Sequence, residues 1–184
     1  DSAPTATVAE ATPANTAAPT ITGTTTDGHT LTSDPGTWTG TPTITHTRQW
    51  RRCDASGDGC ADIPGATAAT YDLTPGDVGH TLRVVVNGAN GAGTTPATTA
   101  PTAVIDAVPP TPGAPAITGT TTNGRTLTAD PGTWTGTPAI TFTYRWRRCG
   151  SDGTGCSDIP GATGATYVLT AGDIDRTIRV LVTG

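Results

Sequence analysis

Hydrophobic residues in this chain come in short bursts separated by turn residues. In the first half, residues 20–24, 29–33, 44–53, 70–74, 81–87 and 98–107 read as strands, with one more short strand within 60–67. Leu82, Val84 and Val86 fall on one side of the strand 81–87, the period-two pattern of a strand with one face on a core. Asp34-Pro35-Gly36 and Ile63-Pro64-Gly65 supply turns, residues 75–79 a corner, and Asn90-Gly91-Ala92-Gly93 a hairpin turn. Trp50 and Trp146 alternate with Ile44 and Ile140 and are expected in the core.

The pattern then repeats with a period of 96. Residues 19–88 align with 115–184 without a gap, and 22 of those 70 positions differ. The segments PGTWTGTP, WRRC, DIPGAT and ATY recur intact. Residue types shared by both copies therefore mark one shared fold, and a residue present in one copy only cannot serve a function common to both. The expected organisation is a leading segment 1–18, a repeat 19–107, a linker 108–114 and a second repeat 115–184. That second repeat stops at the equivalent of Gly88, so it is expected to lack a last strand of its own.

Composition narrows the class. Hydrophobic residues make up 34% and aromatics 4%, so each core must be small and built from aliphatic residues and a few Trp. Abundant Thr, Gly and Pro suit short strands joined by turns. Net charge is −5, and the ten basic residues are all Arg and mostly scattered, which argues against a nucleic-acid partner. No apolar run is long enough to span a bilayer, so no membrane insertion is expected. Lysine is absent, which removes any lysine-based isopeptide link.

Each repeat carries one C-x6-C pair, so Cys53 is expected to bond to Cys60, and Cys149 to Cys156. Closing a loop of this length stabilises a domain by about 2.5 kcal/mol in the chain-entropy model. Persistent disulfides point to a secreted or cell-surface location.

Together these residues resemble an immunoglobulin-like domain. Trp50 lies on the strand where that fold buries a Trp against the opposite sheet, and Asp77-x-Gly79 is similar to its corner motif before the penultimate strand. GTWTGTP, QWRRCD, CADIPGAT and TYDLTPGDVGHTLRVVVN together resemble the tandem immunoglobulin-like repeats of secreted and surface proteins from high-GC Gram-positive bacteria. The resemblance covers both repeats and implies an all-β chain of two tandem sandwiches. One departure is plain: the cysteine pairs are local, where antibody domains bridge their two sheets.

No catalytic constellation is evident, and an enzyme is not expected. His29, His46 and His80 are replaced in the second copy by Arg125, Phe142 and Arg176. The acids Asp34/Asp130, Asp62/Asp158 and Asp77/Asp173 do recur, each beside Pro or Gly at a turn, where capping of the local backbone is preferred over Ca²⁺ ligation. No metal site or cofactor is expected. Trp38 and Trp134 are candidate sugar-stacking residues; the competing reading, which is preferred, makes them loop anchors folded onto the end of the sandwich.

The leading segment resembles the strand that the second repeat lacks. Ala3-Pro4-Thr5-Ala6 matches residues 100–103. After one extra residue near Thr7, Val8 to Ala11 matches 104–107, and Pro13 matches Pro109. The linker 12–18 then equals 108–114 in length. The expectation is a head-to-tail homopolymer. Ala3, Ala6, Val8 and Ala11 of one copy would pair beside Ile178, Val180 and Val182 of the preceding copy, as Val104 does within the first repeat. The alternative is a two-repeat segment of a longer surface adhesin or stalk, one that contacts host or environmental surfaces and binds glycans.

Overall fold

The computed structural model describes residues 2–184. Its chain forms two compact units, one ending at Ala107 and one spanning Val108–Gly184. In unit 1 the strands are β1 (Ala14–Ala17), β2 (Thr20–Thr22), β3 (Thr30–Asp34), β4 (Thr37–Thr39), β5 (Thr45–Cys53), β6 (Ala61–Asp62), β7 (Thr70–Asp72), β8 (Thr81–Asn90) and β9 (Gly93–Thr98). Unit 2 holds β10 (Ala116–Gly119), β11 (Thr126–Asp130), β12 (Thr143–Cys149), β13 (Ser157–Asp158), β14 (Thr166–Val168) and β15 (Thr177–Thr183).

In unit 1, β2-β3-β7 make one sheet and β6-β5-β8-β9 the other, with every neighbour antiparallel. This strand order, with the first, second and fifth principal strands facing the rest, is that of an immunoglobulin-like sandwich. Alternation places Leu31 of β3 against Trp50 of β5 and Leu82, Val84 and Val86 of β8, all fully buried. The Trp50 ring stacks on Tyr71 of β7, centroids 5.5 Å apart, and its indole N–H donates to the Ala68 carbonyl. Trp146 repeats this with Tyr167 and the Gly164 carbonyl in unit 2. The bonds Cys53–Cys60 and Cys149–Cys156 close the turn between β5 and β6 and its counterpart.

Two short strands were not legible in the hydrophobic pattern. β1 and β4 pair with each other at one end of unit 1, their register broken between Asn15 and Ala17 by the extra residue Thr16. Unit 2 makes the same contact through a single bridge, Thr111 to Thr135. The short strand expected within 60–67 is β6, and Ile63-Pro64-Gly65 turns the chain directly after it, as expected.

The last strand departs most from expectation. Regular pairing with β8 covers β9, residues 93–98, rather than 98–107. Beyond Thr98 the chain stays beside β8 but bonds differently. The Thr99 and Thr102 hydroxyls accept from the Val84 and Leu82 amides at 3.1 and 2.9 Å, where a ladder would use carbonyls.

Candidate functional site

The acids that recur in both copies build structure. Asp34 and Asp130 accept the amides of Gly36 and Gly132, closing their turns as expected. Asp62 and Asp158 are different: they cap no turn and instead pair with Arg51, and with Arg145 and Arg147, across the sheet edge. Asp77 is buried, receiving the Arg52 guanidinium at 2.6 Å, the Tyr71 hydroxyl, and both the amide and hydroxyl of Thr74. Burial alone would raise its carboxyl, but the Thr74 and Arg52 bonds outweigh that and hold it below the usual range. Asp173 repeats the arrangement with Arg148, Tyr167 and Thr170. Again desolvation opposes and the bonds from Thr170, Arg148 and Tyr167 prevail, lowering it from 3.8 to about 2. Among the described residues no group of three or more His, Cys, Asp or Glu is placed to hold a metal ion.

Trp38 and Trp134 are half-buried. The Trp38 indole N–H donates to Pro35 O at 2.8 Å, and its ring lies over Gly88, where a β-carbon would come within 2.7 Å of it. Trp134 donates to Pro131 O and packs on Phe142, centroids 5.5 Å apart. Both rings anchor the PGTWTG loop on the sandwich end.

A groove of about 730 Å³ opens in unit 2, floored by Ile117, Leu127, Leu169 and Ile178 and rimmed by residues 173–177 and 121–123. Each lining residue has a counterpart in unit 1, and there the same groove is filled. Ile105 enters it and is 1% exposed. Its amide donates to His80 O at 2.8 Å, its carbonyl accepts from Gly79 N at 3.0 Å, and it bridges Val78. Asp106 then bonds by its backbone to Thr25 and Asp27. Val104, expected to complete this core, is 38% exposed; the chain leaves the ladder at Thr99, which shifts the inward position by one residue to Ile105.

Filling has measurable consequences. Leu82 and Val84 are fully buried in unit 1, whereas Ile178 and Val180 are only half-buried in unit 2. Val182, the third expected acceptor residue, is buried. Ile174, at the lip, is 58% exposed, against half-buried for its counterpart Val78.

Residues 2–10 form no strand, and Val8 is 96% exposed. Ala11, counted above among the donor residues, is held by its own unit: its amide donates to Thr41 Oγ1 at 2.7 Å and its carbonyl accepts from Thr41 N and Asn90 Nδ2. In unit 2 the residue so clamped is Val108, against Thr137.

No family model matches the chain, and no curated protein is similar to it. Among solved structures it matches the N-terminal four immunoglobulin domains of Dscam1 isoform 4.44 at 14% identity and TM-score 0.32. That match covers 97% of this chain and 43% of the other. At that level it adds nothing to the strand order itself.

Proposed function

We propose that this protein is a non-catalytic structural subunit of an extracellular fibre, joined head to tail by strand complementation between copies. The observation that carries the reading is the contrast between two near-identical sandwiches. The groove that Ile105 fills in unit 1 lies open and apolar in unit 2, and an exposed segment matching the filling strand precedes the first sandwich. An exposed strand edge above an uncovered core favours strand addition. Such a contact is heterologous and propagates rather than closing. The two disulfides fit a secreted or surface location; among the described residues no helix is long and apolar enough to cross a membrane.

Negative-stain imaging and sedimentation of residues 1–184, with and without residues 2–10, test the reading. Fibres or ladders of oligomers are expected from the full chain and monomers from the shortened one. Monomers from both would overturn it.

A further inference from the structure

The two clamps set a register for the donor segment that simple sequence matching misplaces. Ala11 and Val108 make the same two contacts with Thr41 and Thr137: the amide donates to the threonine hydroxyl, and the carbonyl accepts from the threonine amide. Gly40 abuts the α-carbon of Pro13, and Gly136 that of Pro110. Ala14 faces Thr39 as Thr111 faces Thr135. Each of these pairs is separated by 97 residues, although the sandwiches themselves repeat every 96. The surplus residue is Thr16, at the bulge in β1, and not one near Thr7. The match of Pro13 with Pro109, and of linker 12–18 with 108–114, is corrected accordingly.

With the surplus placed there, residues 2–11 align with 99–108 without interruption. Val8 then stands for Ile105 rather than for Val104. Ser2 and Thr5 stand for Thr99 and Thr102, and both keep the hydroxyl that accepts an amide of β8 in unit 1. Ala3, Ala6 and Thr7 stand for Ala100, Ala103 and Val104, all exposed in unit 1. Ile105 stands three positions before the clamped Val108, and Val8 three positions before the clamped Ala11.

From this geometry we infer that Val8 is the plug of the intersubunit joint, seated in the groove of unit 2 of a second copy. This inference rests on the fibre reading above. In the seated joint Val8 N donates to Arg176 O and Asp175 N donates to Val8 O. Ser2 and Thr5 hydroxyls accept from the Val180 and Ile178 amides. Ala9 continues by backbone alone against Thr121 and Asn123. The socket is cut for the smaller plug. Where Ile105 meets Val78, Val8 would meet Ile174, so the methylene missing from the plug is present on the lip. A second copy is the fitting occupant because a clamped Ala11 leaves Val8 a tether of three residue steps, about 10 Å when extended, the same tether that carries Ile105 ahead of Val108.

Because Val8 is exposed in its own subunit, substitutions there leave each fold untouched and report on the joint alone. Sedimentation velocity of the full chain with Val8→Ala, Val8→Asp and Thr7→Asp separates the possibilities. Val8→Ala should weaken association about tenfold, from two lost methyl groups at about 0.8 kcal/mol each. Val8→Asp should reduce it by a factor on the order of 100 or more, and Thr7→Asp should assemble like wild type. Loss of assembly with Thr7→Asp but not with Val8→Asp would overturn the register and leave the fibre reading standing. Wild-type assembly in all three variants would overturn the plug. A monomeric wild type would overturn both.

Discussion

At the scale of single residues, the two copies work as internal controls for each other. Trp50 and Trp146 are both fully buried, each anchored by an aromatic stack and one indole hydrogen bond. Truncation of either to Ala should cost its unit about 3–5 kcal/mol. Thermal or denaturant unfolding that leaves the affected unit at its wild-type midpoint would contradict the packing. The carboxylates buried beside Arg52 and Arg148 make a second prediction. A folded pKa below the unfolded value contributes stability that is complete above the unfolded pKa and lost as pH falls through the folded one. For Asp173, lowered from 3.8 to about 2, the contribution is about 2 kcal/mol, present above pH 4 and fading between pH 4 and 2. Asp77 acts in the same direction in unit 1. Asp173→Asn should destabilise unit 2 at pH 7 and flatten its acid profile, as followed by circular dichroism across that window. What the sequence revealed here was that these acids recur; what it concealed was their partners. Arg52 lies 25 residues from Asp77, and only the antiparallel pairing of β5 with β8 brings them together.

At the scale of elements, the principal strands were legible because each pairs period-two alternation with a turn of recognisable chemistry. β5 and β8 lie within a few residues of expectation for that reason. β4 was hidden because its pattern, Thr-Trp-Thr, is too short to show a period. The segment 99–106 departs from alternation because its inward residue is set by bonds that the Thr99 and Thr102 hydroxyls accept from the Val84 and Leu82 amides, and the hydrophobic pattern carries no trace of these. The candidate joint was thus visible as a surplus and a deficit, while its register needed the clamps. Supplying the deficit within one chain is a direct check. A copy of residues 89–107 placed after Gly184 should give a self-complemented monomer. In it the Ile178 and Val180 amides, which face the open edge, should gain hydrogen-exchange protection comparable to that of Leu82 and Val84. Continued polymerisation, or unchanged exchange at both amides, would show that the groove is not a strand site.

At the scale of the whole molecule, two units with nearly the same sequence should differ in stability for a reason that lies outside either. Unit 1 carries its own filling strand; in the proposed fibre unit 2 depends on a neighbour and so on mass action. Calorimetry should resolve two transitions, with the lower, assigned to unit 2, rising as protein concentration rises. The upper transition should hold constant. A single transition independent of concentration would argue that the groove needs no occupant. Since the chain has no lysine, the proposed joint would have no isopeptide bond to fall back on, and denaturant should dissolve fibres without reductant.

The placement of the clamp and the plug at opposite ends of a sandwich has a mechanical consequence. In unit 1, Asn90 at one end of β8 holds Ala11, while His80 beside its other end holds Ile105, about 30 Å away along the strand. Tension on a string of such units would enter at the clamp and leave past the plug, along the strand axis. The hydrogen bonds of residues 99, 102 and 105 lie across that axis and would be loaded in shear, all together rather than one after another. Joints of this geometry should resist a pull far better than their equilibrium affinity suggests, with rupture governed by a rate rather than by a free energy. Stretching single fibres at constant force, with wild type beside Val8→Ala, should show lifetimes that shorten with the plug. Equal lifetimes would place the load elsewhere.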